Sequence, residues 1–326
     1  DVLLDDLVRF FDNPAKAFLR SRIGLYLPEV PEQRGEGIPV ELDGLQRWVI
    51  GERMLTAVLA GRDPAATCEA ELWRGELPPD ALGHRTMEQL TGQVQELCQA
   101  TWRAVGTGGW GEALERDSLD VDIALPLPGG RRLVGTLSGL VGGSALSVSF
   151  SSVKAKHRLH SWISSLVLAA AGQEQARSHH LGRYSFGRDK GVARVSHGPH
   201  EQQRAVELLG QLVDLRDRGL DAVLPLPVET SRAWAEQFLK NRSVHAADQR
   251  AAQRGWETQQ GGWGIRQEQD DTSWDRVLGG SLPLQAVLGT PLEDERWFPD
   301  VPHRLGQLSL RLWEPVLTGH ETLERG

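Results

Sequence analysis

The sequence predicts a mixed α/β fold of the α+β kind, with helices first and a small sheet later. Three observations carry that prediction. Apolar residues recur at helical spacing through roughly the first hundred positions, as in Leu4, Leu7, Val8 and Phe11. Between Asp120 and Ser151 the period drops to two, the spacing of half-buried strands, before a helical stripe resumes near Ala155. Composition is that of a soluble globular chain, 40% apolar and 25% charged over 326 residues, long enough for a sizeable core. Helices, then a sheet interrupted by one long helix, then helices again do not form a regular βαβ series. The expected division is a helical region over 1–115 leading into a core over 116–326 with C-terminal helical elaboration, or one domain throughout.

Each element has its own signal. Asp5 and Asp6 sit in an opening turn, where the helix dipole favours carboxylates. Asn13-Pro14 reads as an N-cap and first-turn proline for a second helix through Ala17, Phe18 and Arg22. The Pro- and Gly-rich stretch Pro28 to Pro39 is a predicted loop. A helix carrying Leu45, Trp48, Leu55, Val58 and Leu59 ends at Gly61. Another runs from about His84 to Val105, with Met87, Leu90, Val94, Leu97 and Thr101 on one stripe, and the run Gly106 to Gly111 breaks it.

Strands follow at Asp120 to Leu127, Arg131 to Leu140 and Ala145 to Ser151, the last two joined at Gly142-Gly143 as a hairpin would be. Leu159, Trp162, Ile163, Leu166, Val167 and Ala170 give a strong helical stripe. Gly182 to Val195 reads as a second hairpin, and Leu208, Leu209 and Leu212 mark the next helix. Leu224 to Pro227 reads as extended, Trp234 and Phe238 as helical, and Gly255 to Asp271 as a polar loop. The last helix carries Leu305, Leu308, Leu312 and Val316, and the tail beyond Gly319 is expected to fray.

Composition excludes several classes. Two cysteines, Cys68 and Cys98, rule out a disulfide framework and a cysteine-rich metal site, and read as buried free thiols. A net charge of −8 argues against coating of nucleic acid by the whole surface, though not against a local basic patch. No initiator methionine, signal peptide or apolar run near the ~18 residues of a membrane span is present, so the chain reads as a piece of a longer cytoplasmic protein.

One pattern carries chemistry. Restriction-type nucleases hold Mg²⁺ with a carboxylate on one strand and an apolar-(Asp/Glu)-x-Lys run on the next, with a helix following. Period two puts the second carboxylate and the lysine on one strand face. The scaffold of that pattern is present over Leu133 to Leu140, Leu146 to Ser151 and the helix from Ala155. The functional positions differ: Ser138 and Ser149 stand where the carboxylates are expected, and Ser151 where the lysine is. Neutral hydroxyls hold Mg²⁺ weakly without carboxylates beside them. The expectation is a restriction-endonuclease-like core sheet, catalytically degenerate, with no metal, no cofactor and no intrinsic nuclease activity. Asp120 and Asp122 share a strand face and are the alternative, a displaced metal site of a divergent nuclease.

The opening stretch LDDLVRFFDNPAKAFLRSRIGLYLP, the segment IPVELDGLQRWVIGERML, the segment LWRGELPPDALG, the block LSGLVGGSALSVSFSSVKAKHRLHSWISSLVLAAAG and the late EQDDTSW occur in this order. Together they resemble the C-terminal region of the exodeoxyribonuclease V gamma subunit, RecC, over nearly the whole chain. The resemblance implies a nuclease-like fold without catalysis, in a subunit that assembles with RecB-type and RecD-type helicase partners. It also implies splitting of duplex ends, guiding of the unwound DNA strands and a place in double-strand-break repair. Chi recognition belongs to parts of that subunit outside this chain, so no Chi-reading residue is carried over.

The candidate DNA-binding residues are Arg131 and Arg132 at the entry of one strand and Lys154, Lys156, His157 and Arg158 at the start of the long helix. Lysines at a helix N-terminus oppose its dipole and so favour a bound anion. Arg9, Lys16, Arg20 and Arg22 form a second basic group among acidic neighbours. Of the eleven tryptophans, Trp256, Trp263 and Trp274 lie in or beside the polar loop, either packed on their own domain or exposed for base stacking or a protein contact. His179-His180 reads as a pair of surface histidines. A protein-interaction domain that never touches DNA is the remaining alternative.

Overall fold

Capping side chains and period changes divide the chain into its elements. A computed structural model describes residues 1–26, 42–106, 119–173, 175–186, 189–257, 267–319 and 321–326. In chain order these are β1 (Val2–Leu3), α1 (Leu4–Phe10), α2 (Pro14–Phe18), α3 (Gly44–Leu59), α4 (Pro64–Trp73) and α5 (Asp80–Val105), then β2 (Leu119–Pro126), β3 (Arg132–Val141), β4 (Ser144–Ser152), α6 (Ala155–Ala170), β5 (Ser178–Phe186) and β6 (Asp189–His197). The remainder is α7 (Gln202–Asp221), α8 (Val228–Asn241), α9 (Val244–Ala251), α10 (Thr272–Leu278), α11 (Leu284–Val287), α12 (Arg304–Leu317) and β7 (Thr322–Arg325).

Local chemistry explains the boundaries. Asn13 caps α2 by accepting from the Lys16 backbone N–H at 3.0 Å, with Pro14 in the first turn. Asp43 and Gln46 form a reciprocal capping box on α3. Gly142 and Gly143, at φ of 58° and 78°, make the tight turn between Val141 and Ser144. Both central residues need positive φ there, which glycine supplies without steric cost.

The sheet is seven-stranded and mixed, in the order β1-β3-β4-β5-β6-β7 with β2 also on β3. β2, β3 and β4 are successively antiparallel, and α6 crosses over to put β5 parallel to β4. The β3–β4 ladder pairs Leu140 with Ala145 and Val141 with Ser144. Farther along, β3 takes β1 as a partner, at Leu133 and Val134.

Each face of the sheet is covered. Leu133, Leu137 and Ala145 pack with Leu159, Trp162 and Leu166 of α6, Leu212 of α7 and Trp313 of α12. Phe10 and Phe11 of the N-terminal helices join that same core. On the opposite face Phe150 and Leu181 pack with Ile50 and Met54 of α3 and with Leu90 and Leu97 of α5. Full burial of side chains this size contributes roughly 1.5–3 kcal/mol each. The predicted helical region and the predicted core are therefore interleaved around one sheet.

Several expectations need correction. Leu45 and Trp48 are exposed; the inward stripe of α3 is Ile50, Gly51, Met54, Leu55 and Val58. The tail does not fray: β7 pairs with β6, and Glu321 just before it is nearly buried. Cys98 is buried but Cys68 only partly, and both are free thiols. The short helices α4, α9, α10 and α11 carry no long apolar stripe; α4 and α9 are marked instead by their caps, Asp63 and Ser243, which each accept from a first-turn N–H. The predicted loop at Pro28 to Pro39, and most of Gly106 to Gly111, fall outside the described residues.

Candidate nucleic-acid interface

The three serines do not come together as one cluster. Ser147, Ser149 and Ser151 alternate with Phe150, so they point away from the α3 and α5 layer. The Ser149 and Ser151 hydroxyl oxygens lie 2.9 Å apart and satisfy each other. Ser138 is elsewhere, on β3. There Leu119 pairs with Leu140 and Val121 with Leu137, so Ser138 and Gly139 together oppose Asp120 in a β-bulge. Gly139 has φ of 77°. No hydrogen bond joins Ser138 to Ser149 or Ser151 among the described residues. Asp122, on the neighbouring strand, accepts from the Thr136 hydroxyl at 2.9 Å.

Histidines line the same face as the β4 serines. Ser147 Oγ lies 2.7 Å from His180 Nδ1. The His180 ring stacks on His157, with centroids 4.6 Å apart. Burial pushes His180 down to about 3, helped by His157, His160 and Lys156. Burial likewise lowers His157 to about 4, with Lys156, His160 and Lys154 adding to it. Both rings are neutral at pH 7, so His157 supplies no phosphate-binding charge. Its Nδ1 instead accepts the Lys154 backbone N–H at 3.1 Å, which caps α6. The expectation of surface histidines fails for His180, which is buried, while His179 is half-buried against Ser196, its Nδ1 2.8 Å from the hydroxyl. The sequence gives no sign of this, because burial of a strand residue depends on what crosses above it. Here that is α6, whose Ser161 meets Ser178 of β5.

The predicted basic residues divide into paired and open. Arg131 pairs with Asp217, and Arg132 makes a two-point contact to Asp1 at 3.1 and 2.8 Å. Arg158 is a correction. It is buried, donating to Glu321 and to Glu236 at 2.6 Å and lying 5.9 Å from the Trp313 ring centroid. Burial alone would lower its pKa, but the Glu321 and Glu236 carboxylates reverse that and hold it above the usual arginine value. It is a core ion-pair centre rather than a surface ligand. Lys154 and Lys156 are exposed at the carboxyl end of β4. The anion expected at the α6 N-terminus is supplied from within, since Glu229 Oε1 accepts the Ala155 N–H at 2.7 Å. In the second basic group Arg9 pairs with Asp5 and Asp6, Arg22 with Asp221, and Arg20 lies over Tyr26.

Two arginines escaped the sequence reading. Arg183 of β5 is the register partner of Ser152, and its backbone carbonyl accepts the Val153 N–H at 3.1 Å. Its guanidinium lies 4.8 Å from the Phe150 ring centroid. Arg47 of α3 donates to the Gln89 side chain at 3.2 Å. Arg47 and Arg183 are 136 positions apart in sequence, and only the packing of α3 on the sheet brings them near. Glu52 of α3 accepts the Phe150 backbone N–H at 2.7 Å, at the irregularity where the β4–β5 register shifts.

The tryptophans of the late polar segment pack inward. Trp256 and Trp274 are buried edge-to-face, and Trp256 donates to the Leu282 carbonyl at 2.8 Å. Trp263 lies outside the described residues. Among the described residues no group of three histidine, cysteine, aspartate or glutamate side chains is placed to hold a metal ion, and no helix is long and apolar enough to cross a membrane.

These features define a mixed α/β module whose strand β4 carries serines on one face, with two exposed lysines just beyond its carboxyl end. Residues 1–239 match the model of the RecC C-terminal domain, and the chain belongs to that family. It is 36% identical over 318 residues to the RecBCD enzyme subunit RecC of Mycolicibacterium smegmatis, and 35% identical over 321 residues to that of Mycobacterium tuberculosis. Each of these alignments covers 97% of this chain and 27% of the relative. The RecC subunit of Escherichia coli is 24% identical over 294 residues, covering 88% of this chain and 24% of the relative. The chain thus spans about a quarter of the length of the relatives it matches.

Proposed function

We propose that this chain is a non-catalytic module of a RecC-type subunit, acting in the cytoplasm within a RecBCD-type complex during double-strand-break repair. In this reading it helps guide or split DNA and scaffolds the RecB-type and RecD-type partners. The observation that carries the reading is the Ser149–Ser151 hydroxyl pair, two uncharged side chains that this reading assigns to the positions of a carboxylate-x-lysine pair. Support for a restriction-endonuclease-like ancestry comes from topology: an antiparallel β2-β3-β4 meander, then the α6 crossover to a parallel β5. The bulge at Ser138 supports it further, because bulges gather next to active sites and re-aim strand side chains. Exposed Lys154 and Lys156 at the carboxyl end of β4 are the phosphate-contacting candidates that remain.

The divergent-nuclease alternative places the metal at Asp120 and Asp122. Against it, Asp122 is engaged by Thr136. Incubating the full-length protein with linear duplex and Mg²⁺ or Mn²⁺ separates the readings. The expected result is no cleavage by the subunit alone. Cleavage abolished by Asp122→Ala and untouched by Ser149→Ala would establish the alternative. A protein-interaction role without DNA contact predicts partner binding with no salt-dependent DNA affinity.

A further inference from the structure

We infer that Arg47 and Arg183 form a phosphodiester-binding clamp where β4 ends beside its parallel neighbour β5, on the face covered by α3 and α5. The inference rests on the DNA-contacting reading above and assigns it to residues outside the serine face.

The two residues converge through Phe150. Gly51 of α3 lies flat on the Phe150 ring, so that a Cβ there would stand 2.2 Å from ring carbons. Arg47 is one helical turn before Gly51 on the same stripe, and so it faces the same ring. Arg183 reaches that ring from β5, at 4.8 Å from its centroid. Both arginines are half-buried, not enclosed, and so remain open to a ligand.

Their charge is uncompensated in an acidic chain. Neither makes an ion pair with a described residue; Arg47 has only the neutral Gln89 amide oxygen. Burial lowers the Arg183 pKa, the positive charge of Arg47 lowers it further, and Glu96 of α5 offsets this only in part. Several other guanidiniums are paired, as Arg53 with Glu71 and Glu76, Arg232 with Glu229 and Glu236, and Arg304 with Glu295, whereas Arg311 makes no ion pair among the described residues and rests on the Trp297 ring. What sets Arg47 and Arg183 apart is that two such guanidiniums are neighbours with no ion pair among the described residues, an arrangement an external anion would complete.

Position favours a nucleic-acid strand as its source. Ligands of open α/β sheets gather at the carboxyl ends of parallel strands. Lys154 and Lys156 follow directly from the end of β4, and the Val153 N–H pairs with Arg183. A run of cations rather than a single one suits a polymer of phosphates. Guanidinium groups bind phosphate through paired N–H donors, which lysine does not reproduce.

The test is binding of a fluorescent 20-nucleotide oligothymidylate, and of a duplex of the same length, to the full-length protein across a KCl series. Arg183→Met and Arg47→Met should each weaken binding by roughly tenfold at low salt and make the log–log salt slope shallower by about one. Arg183→Lys should keep the slope while losing part of the affinity. Unchanged melting temperatures for the variants exclude a folding cause. Wild-type affinity and slope in both methionine variants, with loss in Lys154→Gln and Lys156→Gln, would overturn the clamp and leave the DNA-contact reading intact. No salt-dependent binding by the wild-type protein would overturn both. Displacement of the oligonucleotide by an acidic peptide at lower concentration than by unlabelled DNA would make the clamp a protein-docking site and overturn it too.

Discussion

Arg158 and Arg183 both flank the β4–β5 pair, yet the fold treats their charge in opposite ways. Arg158, near the start of α6, is enclosed by Glu236 and Glu321 and roofed by Trp313. Arg183, on β5 opposite the end of β4, meets an aromatic face and another cation. Burying a charge is tolerable only with a partner, and the compensated site has one on either side. The difference teaches where structure ends and recognition begins. A guanidinium answered from within holds elements together, here the tail, α6 and α8. One left unanswered is available to something else.

The comparison breaks most easily on the compensated side. Glu321→Ala leaves Arg158 buried with half its partners and releases the residue that anchors β7. A loss of about 3–5 kcal/mol is expected, as for other buried pairs stripped of one member. Urea unfolding measures it. Pairing Arg158→Met with Glu321→Ala should cost clearly less than the sum of the two single changes, because the stranded charge is gone. Additive losses would show that the ion pair is not the anchor.

A smaller effect is expected at the base of the open side. Gly51→Ala drives a methyl group into the Phe150 ring, 2.2 Å away, where α3 rests on β4. Overpacking of this kind costs about 1–3 kcal/mol. Moving α3 outward would also shift Arg47, so oligonucleotide affinity should fall together with stability. A variant that lost stability and kept full affinity would separate the clamp from its platform.

How much of this was legible in the sequence follows from the same contrast. Period and caps located the sheet strands and the long helices, because Leu146, Val148 and Phe150 alternate and Asn13-Pro14 is a local signal. The tail is illegible in the sequence because Thr322 to Arg325 is exposed throughout and carries no pattern; its ladder to β6 and the buried Glu321 side chain hold it. Among the site candidates, Lys154 and Lys156 are as exposed as their composition implied, while Arg158 beside them is buried. Sequence cannot tell these apart, since Glu236 and Glu321 are 78 and 163 positions away. Arg47 and Arg183 are invisible for the same reason: they meet only through Phe150 of β4, on which α3 packs from one side and Arg183 of β5 from the other.

Another acid group lies between these extremes and titrates. Glu268 is half-buried and accepts the Glu229 N–H at 3.1 Å, the Thr230 N–H at 2.8 Å and the Thr230 hydroxyl at 2.7 Å, capping α8. Burial nonetheless pushes its carboxyl up to about 7, against the pull of those hydrogen bonds. A folded-state value above the unfolded one means that the folded protein holds the proton longer. The contribution of Glu268 is therefore fully present below about pH 4.5 and is lost as the pH rises through about 7. The slope in that window is at most about 1.4 kcal/mol per pH unit. Glu268→Gln should flatten the pH dependence of unfolding between those limits; an unchanged profile would place the titration elsewhere.

The smallest expected effect is the sharpest for the contrast between the two arginines. Arg183→Met keeps the apolar stem over Phe150 and removes the charge that Arg47 opposes. What is lost is a cation–π contact of about 0.5–1 kcal/mol at a partly exposed site. What is relieved is burial of an uncompensated cation beside a second one. The two nearly cancel, so stability should change by no more than about 0.5 kcal/mol, in the range of an ordinary surface substitution. Equal losses on removing Arg158 and Arg183 would mean that both charges are structural, and the unanswered guanidinium would no longer point to a ligand.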